Sequence, residues 1–294
     1  MKRERRIILF FVFALTCITV SARNVVYDKS DSILVENLLT KATSMPVSTN
    51  YPLFFARALM GVKYVAHVLE QTKTEQLIVN LRQLDCTTFV ESVMALTICA
   101  KKGKRSFEDY CSILRTLRYR NGIITDYSSR LHYFTDWIVD NERMGYVKCE
   151  NSPNPPFTAT KASTYKCMTD LWKNYRQLVA DKTLIPKIAA CEDRLRGMKF
   201  RYIPASRLKE NRKQLSCIHD GDILCMVASA DYLDVTHLGI AVWHGDVLHM
   251  IDASQIQGKV IEEAKSMHEY IKGKKSQKGI LVVRQCVSDI RTKK

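Results

Sequence analysis

Glycine and proline are scarce, 11 and 7 of 294 residues, and neither dominates any stretch. That excludes a collagen-like chain and long flexible linkers. No similarity recurs at a period of 20–50 residues, which excludes a solenoid or a propeller. Ten cysteines are present without one C-x-x-C pair, so neither a zinc knuckle nor a thioredoxin-like motif is indicated. No apolar run reaches the roughly 20 residues of a membrane-spanning helix. Acidic residues are outnumbered, 30 against 45 basic, for a formal charge of +15. With 46% hydrophobic and 26% charged residues, the chain has an ordinary globular composition, not a disordered one.

What is present begins at the N-terminus. Met1-Lys-Arg-Glu-Arg-Arg6 is basic, Ile7 to Val20 is apolar, and Val20-Ser21-Ala22 fits a small-residue cleavage site. This is the order of a secretory signal peptide, residues 1–22, cut after Ala22. The alternative is an uncleaved anchor, for which the apolar run is short. Cys17 follows Ala14-Leu15-Thr16, a poor lipoprotein signal. The expectation is an exported chain, periplasmic or extracellular, with no stable membrane span after cleavage. Residues 23–294 would form a single domain, catalytic by the argument below, with 150–200 as an elaboration. Without the leader the charge is about +12, which suits an acidic polymer such as nucleic acid, anionic lipid or a carboxylate-rich cell wall. Export argues against nucleic acid. Nine cysteines remain, and an odd number leaves at least one thiol free even where disulfides are permitted.

Helical spacing dominates the first half. Tyr51 to Glu70 carries Phe54, Leu59, Val62, Val65 and Val68 at helical intervals, and Asp85 to Cys99, Ser106 to Leu117 and His132 to Asn141 follow. Glu150 to Thr160, with Pro153, Pro155 and Pro156, reads as a loop. Asp181 to Gly197 holds a further helix, begun or interrupted near Pro186. After residue 217 the pattern changes to short turn-bounded strands: Gly221 to Val227, His237 to Trp243, Val247 to Ala253 and Gly279 to Val283. Helices first and strands later predict an α+β fold with an antiparallel sheet in the C-terminal half.

Chemistry concentrates where helix and strand patterns start. Asp85 is a good N-cap, so Cys86 falls on the first turn of the following helix. Unpaired backbone N–H groups and the positive end of the macrodipole favour a thiolate there, and a thiolate is the working form of a cysteine nucleophile. A nucleophile needs a base. His237 lies in Asp234-Val-Thr-His-Leu-Gly-Ile-Ala-Val-Trp243, sharing one face with Gly239, Ala241 and Trp243. Taken alone, each residue has a bland reading, a buried thiol and a core histidine. Hairpin geometry supplies the third member. A two-residue turn at Gly245-Asp246 opposes Gly239 to Asp252, which places Asp252 diagonal to His237. A three-residue loop shifts the register by one and selects His249 instead.

The strings Leu84-Asp-Cys-Thr-Thr-Phe-Val-Glu91, Ser129-Arg-Leu-His-Tyr-Phe134, Gly221-Asp-Ile223, His237-Leu-Gly-Ile240 and Ile251-Asp-Ala-Ser254 resemble the N-acetylmuramoyl-L-alanine amidase-like family of secreted bacterial proteins. That family looks like a branch of the NlpC-type papain-like cell-wall hydrolases, and the similarity runs from about Tyr51 to Arg284. It implies a papain-like α+β core: a cysteine at a helix N-terminus, packed on an antiparallel sheet bearing a histidine and a third polar residue. Cys86 and His237 match the nucleophile and base positions. The third position, often His in the superfamily, is matched by Asp252, and the usual Tyr/Phe-Asp-Cys-Ser-Gly motif is altered. The resemblance makes Asp85 a stem-peptide contact as well as a helix cap. Ser129, Arg130, His132 and Tyr133 are further substrate-binding candidates, Arg130 either as a fork for a substrate carboxylate or as an internal ion pair.

The implied activity is hydrolysis of a peptidoglycan or muropeptide amide through a thioester, with Cys86, His237 and Asp252 as the catalytic set and no metal or organic cofactor. The leading bond is that between N-acetylmuramic acid and L-alanine. Alternatives are a γ-D-glutamyl endopeptidase in the same stem peptide, a transglutaminase-like acyl transferase, and a non-catalytic wall-binding protein on the same fold.

Overall fold

A computed structural model describes residues 25–293; the expected leader, residues 1–22 with Cys17, lies outside the described residues. The fold is α+β with a mixed sheet. Ten strands form that sheet. Across it run Gln83–Leu84, Lys63–Tyr64, Lys259–Glu262, Val247–Ser254, Val235–His244, Ile223–Ala228, Gln277–Gln285, Lys199–Pro204 and Ala159–Ala162, with Val147–Cys149 also paired to Gln277–Gln285. Neighbours are antiparallel except at one edge, where Lys63–Tyr64 and Gln83–Leu84 run parallel. That parallel pair comes from the first half of the chain, and the strands from residue 147 onward pair antiparallel with one another. Residues 65–82 supply the long connection that a parallel pair requires.

The central strands alternate between two cores. Ile223, Cys225, Leu238, Ile240, Val242, Ile251 and Ala253 belong to one, and Leu224, Met226, Ala241, Trp243, Leu248 and Met250 to the other. Covered on both faces, these strands read in the sequence as nearly continuous apolar runs. The first face is covered by the central helix, Cys86–Lys101. Every residue from Thr88 to Cys99 is buried, as expected of a helix apolar all round. It packs between the sheet and the helices Lys29–Thr43, Tyr51–Ala58 and Phe107–Arg118. The second face is covered by the short helix Met267–Ile271. A third cluster, including Tyr127, Tyr133, Tyr165, Leu178, Leu184, Ile188 and Leu195, draws mostly on residues 165–195.

Local spacing and tertiary pairing conflict once. The helical pattern from Tyr51 to Glu70 is realised only as far as Ala58. Beyond it, Lys63 pairs with both Lys259 and Gln83, and Val65 N–H donates to the Leu84 carbonyl. Sheet pairing overrides the apolar spacing. Pro186, by contrast, sits in the first turn of the helix Leu184–Leu195, where no intrahelical N–H bond is lost.

The central helix also holds a buried charge. Glu91 accepts from Arg118 Nε at 2.7 Å, and Arg118 Nη1 donates to the Ile78 carbonyl. Both side chains are inaccessible to solvent, so deleting one partner strands the other. Glu91→Ala is expected to lower the unfolding free energy by about 3–5 kcal/mol. Denaturant titration checks this, and a loss of under about 1 kcal/mol would make the pair dispensable. No helix among the described residues is long and apolar enough to cross a membrane.

Candidate active site

The hairpin register decides the site. His244 faces Val247 and His249 faces Val242 across a two-residue turn. Gly245 has φ +58° and Asp246 does not share the positive φ, the pattern of a type II′ turn. Asp252 lies one step beyond the last pair, Ile240 with Ile251. His237 Nε2 is 2.6 Å from Asp252 Oδ2. His249 sits on the alternate side of its strand, where Nδ1 donates to the Glu263 carbonyl at 3.0 Å. Of the two residues left open by the sequence, Asp252 is the one against the imidazole.

With Nε2 occupied, Nδ1 is left for a second partner. Cys86 stands beside the ring, close enough to raise its proton affinity by hydrogen bonding and by charge. Burial works against the charged ring, but Asp252 and Cys86 together outweigh it and push the pKa from 6.5 up to about 10. Because the folded value is the higher one, the imidazolium stabilises the fold fully below about pH 6.5, and that contribution is lost as pH rises through about 10. The gap in thermal midpoint between the parent and Asp252→Asn is therefore expected to be widest at acidic pH and to close toward pH 10. A gap that widens with pH would reverse the assignment.

Strand pattern alone puts His237 and Asp252 on a face that looks at Cys86, and the structure refines this. Strand alternation groups them with Met226, Ala241, Trp243 and Met250, whereas the central helix packs against Ile240, Val242, Ile251 and Ala253. It is the first residue of that helix, delivered from the edge strand Gln83–Leu84, that meets the imidazole. The sheet register slips by one between Met226–His237 and Val227–Val235. Such a bulge adds local twist and re-aims side chains.

Asp85 fixes where the helix begins. Its Oδ1 accepts from Thr88 N–H, and Thr88 Oγ1 accepts from Asp85 N–H at 2.9 Å, a reciprocal cap. The N–H groups of Cys86 and Thr87 are left without an intrahelical acceptor. The other cysteines differ in environment. All nine described thiols are unpaired. Burial pushes Cys99, Cys111 and Cys149 up to about 12 and Cys217 up to about 11, so at neutral pH these are packing residues.

The polar groups of the Ser129–Tyr133 segment are bonded to neighbours within the fold. Arg130 pairs with Glu70 at 2.6 Å and with Glu75 at 2.8 Å, the internal ion pair rather than an open fork. Ser129 Oγ donates to the Asp126 carbonyl, and His132 Nε2 bonds to that of Tyr127. The Tyr133 hydroxyl donates to Glu192 at 2.6 Å. Buried polar groups need such partners, which is why this polar string is needed inside the fold. No group of three or more His, Cys, Asp or Glu side chains among the described residues is placed to hold a metal ion.

A family model for N-acetylmuramoyl-L-alanine amidase-like proteins matches residues 54–280. This chain belongs to that family. Crystal structures of an N-acetylmuramoyl-L-alanine amidase from Bacteroides uniformis are similar to it; one is 32% identical, with a TM-score of 0.75 over 80% of this chain and 98% of that one. A Bacteroides fragilis protein provisionally named a xylanase is equally near, 32% identical with a TM-score of 0.73 over 79% and 99% of the two chains. A Legionella pneumophila protein, 20% identical with a TM-score of 0.67 over 87% and 95%, shares the fold. No curated protein matches.

Around the cysteine and histidine, this amidase-like chain places residues that no sequence pattern selects. Tyr270 stacks on His237 with ring centroids 6.1 Å apart, Lys274 lies over Tyr270, and the charge of Glu263 is felt by Asp252's neighbours. The sequence carries one signal for them. Ser266 and Glu269 form a capping box, and Ser-x-x-Glu marks a helix start in sequence. That motif locates the helix but not the ring it lies against.

Proposed function

We propose that this protein is a cysteine hydrolase of the bacterial cell wall, cleaving the amide between N-acetylmuramic acid and L-alanine. One observation carries the reading: His237 is held by Asp252 through Nε2 and lies beside Cys86, the first residue of a helix. That is the arrangement of nucleophile, base and orienting carboxylate. A cysteine-bearing helix start against antiparallel strands that carry the other two groups also supports placing the core in the papain-like, NlpC-type class. The family name supports peptidoglycan as substrate. The expected leader supports export to the cell envelope, and the basic composition suits an acidic cell-wall polymer.

The reaction follows from the three groups. His237 takes the proton of Cys86, which gives a thiolate beside an imidazolium. Cys86 Sγ attacks the amide carbonyl carbon, and the N–H groups of Cys86 and Thr87 stabilise the oxyanion. His237 gives its Nδ1 proton to the leaving amine as the C–N bond breaks, leaving a thioester. Water then attacks the thioester and passes a proton to His237. The C–S bond breaks, and the acid leaves with the thiolate and imidazolium restored.

Digestion of purified peptidoglycan, with fragments identified by mass, tests the proposal. Lactyl-bearing sugar together with peptides that begin with L-Ala is the expected result. Disaccharide still carrying L-Ala-D-Glu would replace it by the γ-D-glutamyl endopeptidase. New reducing ends with every amide intact would overturn the cysteine chemistry altogether, and amine incorporation would reveal an acyl transferase.

A further inference from the structure

Helix Met267–Ile271 ends in a chain reversal. Lys272 N–H donates to the His268 carbonyl, Gly273 takes φ +81°, and Lys274 N–H returns to the Ile271 carbonyl. A positive φ at that point is readily available only to glycine. The reversal folds Lys274 back over Tyr270, with Nζ 3.1 Å from the ring centroid. Tyr270 in turn stacks on His237, and its own hydroxyl is influenced by Asp252, Glu263 and Cys86. The ammonium thus stands one aromatic ring away from the imidazole.

Lys274 is half-buried, and no hydrogen bond to a carboxylate is among the influences on its ammonium. Glu263 and Asp252 act on it only at longer range, and burial lowers its pKa. A surface lysine would be fully hydrated, and a structural one would be paired. This one is partly desolvated and held against the Tyr270 ring by a cation–π contact.

We propose that Lys274 is a specificity-determining residue that binds a carboxylate of the substrate close to the scissile amide. The inference rests on the peptidoglycan amidase reading and deepens it. The preferred substrate is a stem peptide whose second residue keeps its α-carboxylate free, rather than one in which that group is amidated. A carboxylate there exchanges hydration for a charge-assisted hydrogen bond to a partly desolvated ammonium.

The test compares N-acetylmuramoyl-L-alanyl-D-glutamate with its α-carboxamide, both titrated calorimetrically into Cys86→Ala, so that turnover plays no part. The acid is expected to bind roughly 10- to 100-fold more tightly than the amide. Adding Lys274→Met should bring the two affinities together, and Lys274→Arg should keep the preference. Equal affinities in Cys86→Ala, no binding of either ligand, or a preference that survives Lys274→Met would each overturn the assignment. Hydrolysis of whole peptidoglycan without any acid preference would sink this inference alone. A clear preference with no hydrolysis would instead sink the catalytic reading.

Discussion

Cys86→Ala is expected to abolish amide hydrolysis, by roughly 10⁴-fold or more in kcat, while the protein stays folded. Cys86 is only partly buried at the first helical position, and the cap that starts the helix belongs to Asp85 and Thr88. Trimming the thiol to a methyl group removes no hydrogen bond of that cap and leaves no large cavity. Unfolding free energy should therefore change by no more than about 1 kcal/mol. Cys99→Ala gives the control. Its thiol is fully buried and pushed up to about 12, so the substitution should weaken the fold more than Cys86→Ala does and leave kcat nearly unchanged. A folded Cys86→Ala protein that still turns over substrate would remove Cys86 from the mechanism.

Asp252→Asn should lower kcat by about 10²-fold or more. The asparagine carbonyl oxygen accepts from Nε2–H as the carboxylate does, so the ring stays oriented. What disappears is the negative charge that favours the imidazolium. Asp252 is fully buried, and its second oxygen, Oδ1, has no hydrogen-bond partner, so its charge acts chiefly through His237. The alkaline limb of the pH–rate profile, set near pH 10 by His237 in the parent, should move down toward the ordinary histidine value of 6.5. A purely structural role would lower activity without moving that limb. His249→Gln is the matched comparison. That ring bonds to the Glu263 backbone, so its loss should cost far less activity. The opposite order of effects would hand the third position to His249.

The local parts of the site are legible in short stretches of sequence. Asp85 as an N-cap, followed by the apolar residues Phe89, Val90, Val93, Met94 and Leu96, predicts a helix that begins at Cys86, because capping is settled within one turn. Gly245-Asp246 between two apolar strands predicts the II′ turn, and a two-residue turn fixes which residues stand opposite one another. The alternative three-residue loop would have chosen His249, and the observed pairing of His244 with Val247 excludes it.

Long-range competition decided the rest. Tyr51 to Glu70 has helical spacing, yet its second half joins the sheet because the partners Lys259 and Gln83 lie 196 and 20 residues away from Lys63, and spacing carries no information about them. Sequence left Arg130 either a fork for a substrate carboxylate or an internal ion pair, and inside the fold Glu70 and Glu75 meet Arg130 while Glu192 meets Tyr133. Tyr270 and Lys274 have no motif of their own, and their place over His237 comes from a helix packed on the second face of the sheet. Sequence by itself determined the helix start at Cys86 and narrowed the neighbour of His237 to Asp252 or His249, since each depends on a few consecutive residues. Only the tertiary structure decided between those two, brought the helix start to that histidine and spent the charges of the Ser129–Tyr133 string internally, because desolvation and pairing depend on residues far apart in the chain.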